Sequence, residues 1–181
     1  SIGIGQVYNS YTPLQMAYAI ATLANDGVMF RPHIVNYVEN ITTRERTFVA
    51  PEPVRNLDLK PEHIEVIKRA LVAVNKEGTG ARAFAGAEYE SAGKTGTAQV
   101  VAIKQGEKYV ESRVQERHRD HALFIAYAPA DKPKIALAVV VENSGFGARA
   151  AAPIARQVFD YYLLGKEPAR PAKEDDSAAG N

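Results

Sequence analysis

Ser91-Ala92-Gly93-Lys94-Thr95-Gly96-Thr97-Ala98-Gln99-Val100 admits three readings, each with its own fold. The first is a phosphate-binding loop, spelled by Gly93-Lys94-Thr95. That loop needs another glycine five residues before Gly93 and must open a helix. The position holds Glu88, a negative charge where phosphate oxygens would sit, and Thr97-Ala98-Gln99-Val100-Val101 has the look of a strand. The second reading pairs Ser91 with Lys94 as an acylating Ser-x-x-Lys. That pair works when one helical turn brings the amine under the hydroxyl. Gly93 and Gly96 flank the lysine and no helical pattern follows, so the match is one of spelling only. The third reading is Lys94-Thr95-Gly96-Thr97 on a strand, and the neighbouring sequence favours it.

Working toward the N-terminus, Pro61 opens a helix in which Ile64, Ile67, Leu71 and Val74 recur at helical spacing. Glu62, Glu65, Lys68 and Arg69 are expected on its opposite face. Gly78-Thr79-Gly80 breaks it, and a short helical piece over 81–85 follows. Residues 28–60 read as extended, with strands at Val28-Met29-Phe30 and over 34–38, a turn at 42–45, and punctuation by Pro51 and Pro53. Thr12 and Pro13 are cap and first residue of an earlier helix. From Leu14 to Ala24 it is apolar almost all round, which predicts a buried helix, and Asn25-Asp26-Gly27 ends it.

Toward the C-terminus, strands are expected over 97–103, 121–128 and 135–142. In the last, Ile135, Leu137, Val139 and Val141 alternate with Ala136 and Ala138, so both faces are apolar and both should be covered. The alanine face would admit a close-packed helix. Residues 129–134 have the length of a hairpin connection. Asn143 to Gly147 turns the chain into a last helix, with Ile154, Ala155, Val158, Tyr161 and Tyr162 on one face and Gly165 at its end. The pattern is α+β: an antiparallel sheet flanked by helices. Residues 1–165 form the expected domain part, and 166–181, mixed in charge with two prolines, a disordered tail.

The composition is that of an ordinary globular chain: 46% apolar, 24% charged, net charge +1 over 181 residues. Such a balance calls for neither nucleic acid nor an acidic surface. Scattered aromatics offer no platform for bases. The absence of cysteine excludes disulfides and thiolate metal sites. No apolar run approaches the roughly 18 residues of a membrane span. Ser1 reads as a cut end, because the sequence opens inside an apolar, glycine-spaced segment without Met. Residues 104–120, more than half charged with interleaved signs, read as a solvated excursion between strands. His118, Asp120 and His121 lack a fourth ligand, so no metal site is assigned and no cofactor is expected. His33 and His63 stand alone.

Lys-Thr-Gly is a motif of penicillin-binding proteins and their β-lactamase relatives. Gly5-Gln6 followed by Tyr11-Thr12-Pro13-Leu14-Gln15-Met16-Ala17 resembles the family's helix ahead of that motif. Val141-Glu142-Asn143, then glycines, then Ala151-Ala152-Pro153-Ile154-Ala155, resembles its last strand and helix. The three segments stand in family order, and the resemblance, over residues 1 to about 163, is to the class B, elongation-type penicillin-binding proteins. Val7 departs from it, where the family usually has glycine.

The resemblance implies the C-terminal part of a β-lactamase/transpeptidase-like fold. It also implies serine acyl transfer on peptides ending in D-Ala-D-Ala, a peptidoglycan cross-linking reaction that β-lactams stall. Lys94 and Thr97 would be catalytic, and Lys94, Thr95, Gly96 and Thr97 would bind substrate. Lys94 brings positive charge to the donor's terminal carboxylate or supports deprotonation of the serine–lysine pair. Thr95 and Thr97 offer hydroxyls, Gly96 lets substrate backbone lie along the strand edge, and the Thr97 N–H supplies half of an oxyanion hole. Alternation puts Thr95 and Thr97 on one face and Lys94 on the other, so substrate must meet the strand edge-on. No other Ser-x-x-Lys and no Ser-x-Asn occurs in the chain, so the nucleophile is expected upstream of Ser1. The implied partners are stem peptides, β-lactams, the N-terminal part of the same protein and a SEDS-family membrane glycosyltransferase. The implied location is the outer face of a bacterial inner membrane, with the anchor outside this chain. A non-catalytic penicillin-binding-like sensor or binding domain is the alternative, and a phosphate-binding protein a third.

Overall fold

The computed structural model describes residues 10–100 and 114–168. The expectations on Gly5-Gln6-Val7, on 101–113 and on most of the tail lie outside these residues. Helix α1 (Pro13–Ala24) starts where its cap predicts. Thr12 Oγ1 accepts from the Gln15 N–H at 3.2 Å, and Gln15 Oε1 accepts from the Thr12 N–H at 2.9 Å. Strands β1 (Val28–Phe30), β2 (Tyr37–Glu39), β3 (Arg46–Phe48) and β4 (Pro53–Asn56) make two antiparallel ribbons, β1 with β4 and β2 with β3. Helix α2 (Pro61–Lys76) and the single turn α3 (Ala81–Phe84) lead into β5 (Ala92–Ala98). A 3-10 turn (Glu116–His118) precedes the hairpin of β6 (His121–Ala128) and β7 (Ile135–Val141), and α4 (Gly147–Leu164) closes the described chain. Gly165 caps α4 in the left-handed region, φ 68°.

The organising element is the antiparallel sheet β5-β6-β7, with Lys94 opposite Ile125, Gly96 opposite Leu123 and Phe124 opposite Val139. Its two faces carry two cores. On one, Ala122, Phe124, Ala126 and Ala128 of β6 meet Phe84, Ala151, Ala152, Ala155 and Phe159, joined by Ile135, Leu137, Val139 and Val141. On the other, Tyr127 and Ala92 meet Ile20 and Ala24 of α1 and Leu71 and Val72 of α2, with Ala136 at the same contact. The alternation in β7 therefore sorts as its side-chain sizes predict, with an alanine under α1. Tyr127 is fully buried, and burial pushes its phenol up to about 12.

Four expectations need correction. The strand carrying the lysine spans 92–98, not 97–103, because pairing with β6 extends an Ala-Gly-Lys-Thr-Gly run that has no alternation of its own. Helix α1 is buried only toward its C-terminal end, at Ile20, Thr22 and Ala24, while Leu14 is 64% exposed. In α2 the packed row is Ile64, Lys68, Leu71, Val72 and Asn75, and Ile67 is exposed. Lys68 lies on the inner side because its ammonium reaches the Ala24 carbonyl at 3.0 Å and Asp26 Oδ1 at 2.7 Å, ending α1. In α4 the buried stripe is Ala151, Ala152, Ala155 and Phe159, whereas Ile154, Val158, Tyr161 and Tyr162 face outward. Helix and sheet approach so closely there that only small side chains fit along most of the stripe, which size-weighted hydrophobicity misreads.

Candidate active site

Among the described residues strand β5 is an edge of its sheet, with β6 on one side only. An edge strand presents every second N–H and C=O outward. Lys94 is exposed and its Nζ donates to the Thr95 carbonyl at 2.8 Å. That carbonyl therefore points away from β6, and Thr97, two residues on, presents its N–H to the same open edge. The expected difficulty, a lysine on the face opposite the two threonines, is met by a side chain that bends around the strand edge.

Thr95, Gly96 and Thr97 form one side of an open cleft of about 260 Å³. Its other walls are Thr79, from the turn after α2, and Phe146, Gly147 and Ala148 at the start of α4. The start of α4 sits directly on the strand: a Cβ at Gly147 would stand 2.0 Å from the Leu123 carbonyl oxygen and 2.5 Å from that of Gly96. Only glycine permits this approach. A second contact set fixes the strand from the side of α2. Asn75, buried inside the helix's packed row, donates to Ser91 Oγ at 2.9 Å. A Cβ at Gly93 would meet Phe124 Cζ at 2.6 Å and Asn75 Nδ2 at 3.1 Å.

The four predicted residues thus lie together on one strand segment, Lys94 exposed and Thr95, Gly96 and Thr97 half-buried beside the cleft. Thr79, Asn75, Phe146 and Gly147 join them, and no sequence motif points to these four. Thr79 belongs to the helix break at 78–80, where a polar residue between two glycines after an amphipathic helix is a signal of a shaped turn. Ser91 is buried and bonded to Asn75, and the chain from Ala92 on runs as strand, so Ser91 and Lys94 lie roughly 10 Å apart along it. Ser91 is not an accessible nucleophile paired with Lys94. A strand after Gly93-Lys94-Thr95 likewise leaves no helix to hold a phosphate.

Behind the cleft, α3 is tied to α4. Arg156 donates through Nε to Asp160 at 2.8 Å and through its NH1 group to the Ala85 carbonyl at 3.0 Å, while the Tyr89 hydroxyl donates to Asp160 Oδ1 at 2.8 Å. Burial, and then the Asp160 bond, hold the Tyr89 phenol well above its ordinary range, so it remains a neutral donor. In the charged stretch, Asp120 is buried and accepts from the Val100 N–H at 3.3 Å. Asp120 thus anchors the C-terminal end of the stretch, while Gln115, Glu116 and Arg117 are exposed. His121 Nδ1 accepts from the Asn143 N–H at 2.9 Å, which ties the start of β6 to the turn after β7.

A family model described as the penicillin binding protein transpeptidase domain matches residues 1–160. Among curated relatives, the peptidoglycan D,D-transpeptidase MrdA of Haemophilus influenzae is 41% identical over 173 residues, 93% of this chain and 26% of its own length. Its namesake from Acinetobacter baumannii is 44% identical over 177 residues, 95% of this chain and 25% of its own. The chain therefore spans about a quarter of the length of these relatives. Among solved structures, Pseudomonas aeruginosa PBP2 in complex with WCK 5153 superposes with a TM-score of 0.71 at 38% identity, over 95% of this chain and 36% of that one. The imipenem acyl-enzyme of Mycobacterium tuberculosis penicillin-binding protein A gives 0.68 at 30% identity, over 88% of this chain and 32% of that one.

Proposed function

The chain belongs to the penicillin-binding protein transpeptidase family, and from that premise we propose that it supplies the substrate-binding strand of a serine-type D-Ala-D-Ala transpeptidase of the elongation type. The observation that carries the proposal is the open edge of β5, where the Lys94 ammonium, two threonine hydroxyls and the outward N–H of Thr97 share one segment beside a cleft.

In this reading the donor peptide lies along β5 in extended form. Its terminal carboxylate accepts from the hydroxyls of Thr95 and Thr97 and is attracted by Lys94. A serine outside this chain attacks the penultimate carbonyl. The carbonyl oxygen becomes an oxyanion, for which the Thr97 N–H is one of two donors, and loss of one such donor costs ~3 kcal/mol of transition-state stabilisation. The tetrahedral intermediate collapses to an acyl-enzyme and releases D-alanine. The amine of a second stem peptide then displaces the serine and forms the cross-link. A β-lactam takes the donor's place, with its carboxylate on the same threonines. Residues 1–165 are part of the transpeptidase domain and 166–181 its tail. The remaining partners are the rest of the protein and a SEDS-family glycosyltransferase at the outer face of the inner membrane. Among the described residues no helix is long and apolar enough to cross that membrane; in this reading the anchor lies outside the chain.

The division of labour is tested by labelling. The 181-residue chain alone, exposed to fluorescent penicillin, stays unlabelled, while the full-length protein labels with one equivalent. Stoichiometric covalent labelling of the isolated chain would place a nucleophile within it and overturn the proposal.

A further inference from the structure

The hydroxyl of Thr79 lies 2.9 Å from that of Thr95, and either oxygen can be the donor. Both side chains line the cleft beside Gly96 and Thr97. A hydroxyl has one proton to give and two lone pairs to offer, whereas a carboxylate only accepts. If Thr95 gives its proton to Thr79, it has none left for a substrate carboxylate. If Thr79 gives its proton to Thr95, the Thr95 proton is free to point into the cleft, and the bond behind it polarises it further. We propose that Thr79 is a positioning residue that donates to Thr95 and so turns the Thr95 hydroxyl into a donor for the carboxylate of substrate or β-lactam. The proposal rests on the reading of β5 as the substrate strand.

The surroundings hold Thr79 to this task. The Gly78 N–H donates to the Ala73 carbonyl and the Gly80 N–H to that of Val74, each at 2.9 Å, so the turn folds back on the last turns of α2. A Cβ at Gly78 would stand 2.8 Å from Val74 Cα, and one at Gly80 would stand 2.5 Å from Asn75 Oδ1. Thr79 therefore sits between two glycines, one packed against the α2 backbone and the other against the Asn75 amide. Asn75 links this turn to β5 through Ser91, while its buried Oδ1 has no hydrogen-bond partner among the described residues. A buried acceptor left unpaired carries a free-energy cost. At this position the same amide sets the distance between the turn and the strand, and so the distance between the two hydroxyls.

The test uses the full-length protein and two probes, benzylpenicillin and its methyl ester, which lacks the carboxylate charge. Thr79→Val keeps the branched shape and removes the donor. It should lower the second-order acylation constant for benzylpenicillin about tenfold, the scale of a lost hydrogen bond to a charged group, with under twofold change for the ester. Thr79→Ser should return benzylpenicillin to within twofold of wild type. Thr79→Ala, which adds no bulk, must repeat the valine pattern and guards against a packing defect. The proposal is overturned if Thr79→Val acylates at the wild-type rate, if penicillin and ester slow equally, or if serine fails to rescue. Lys94→Ala is run alongside: if it is slow while Thr79→Val is not, the relay alone fails. If Lys94→Ala acylates normally, the strand assignment fails and the relay with it.

Discussion

The sheet β5-β6-β7 and the ribbons β1-β4 and β2-β3 are all antiparallel, yet they are stabilised differently. Strand β6 has neighbours on both edges and cores on both faces, and Phe124, Ala126, Tyr127 and Ala128 have no exposure to solvent. Along β3 and β4 every residue is exposed, and the strands run only three or four residues. What holds the outer ribbon is local: the Tyr37 and Phe48 rings 5.5 Å apart, Arg46 stacked over Tyr37, and Glu39 bridging Arg44 and Arg46. The same ladder of hydrogen bonds is thus rigid enough to carry a site in one place and peripheral in the other. Strand β5 stands between the extremes: one edge and its buried residues belong to the core, and its other edge is open.

Substitutions that read this gradient should fall in order. Phe159→Ala removes an aromatic that touches both Phe84 and Tyr89 in the inner core and should destabilise the protein by about 4 kcal/mol. Its neighbour Val158→Ala, on the outward face, should change stability by no more than about 0.5 kcal/mol. Urea denaturation of the pair checks which face of α4 is buried, and equal effects would contradict the assignment. Gly147→Ala should cost about 3 kcal/mol, because the new methyl has only backbone oxygens to displace. It should also slow acylation, since α4 would lift from Gly96; a stable variant with normal acylation would show that this contact does not shape the cleft. Phe48→Ala in the outer ribbon loses one cross-strand ring pair and should cost about 0.5 kcal/mol without altering acylation.

Much of the fold is legible in residues whose effect is local. Thr12 and Pro13 start α1, Gly165 ends α4, and the size alternation from Ile135 to Val141 assigns each face of β7. The misreadings share a physical origin in tertiary contact. Alanines at 151, 152 and 155 bury themselves because the helix comes close, not because they are strongly apolar. Lys68 turns inward because a carbonyl and a carboxylate await it at the end of α1. Strand β5 begins at Ala92 because β6 pairs with it. At the site, the lysine, the glycine and the two threonines were legible as a spelled motif. Thr79 was not, because its partner lies 16 residues away across a turn and a helix, and no periodicity links the two.

In the proposed function Lys94 acts at an open strand edge and has no part in the core. Lys94→Ala in the full-length protein, followed by benzylpenicillin acylation rate and thermal melting on the same sample, tests it most directly. The expected result is a loss of about 100-fold or more in acylation, in line with removal of one preorganised electrostatic contact, and an unchanged melting temperature. Acylation at the wild-type rate, or a loss that merely follows a large drop in melting temperature, would contradict the assignment of β5 as the substrate strand.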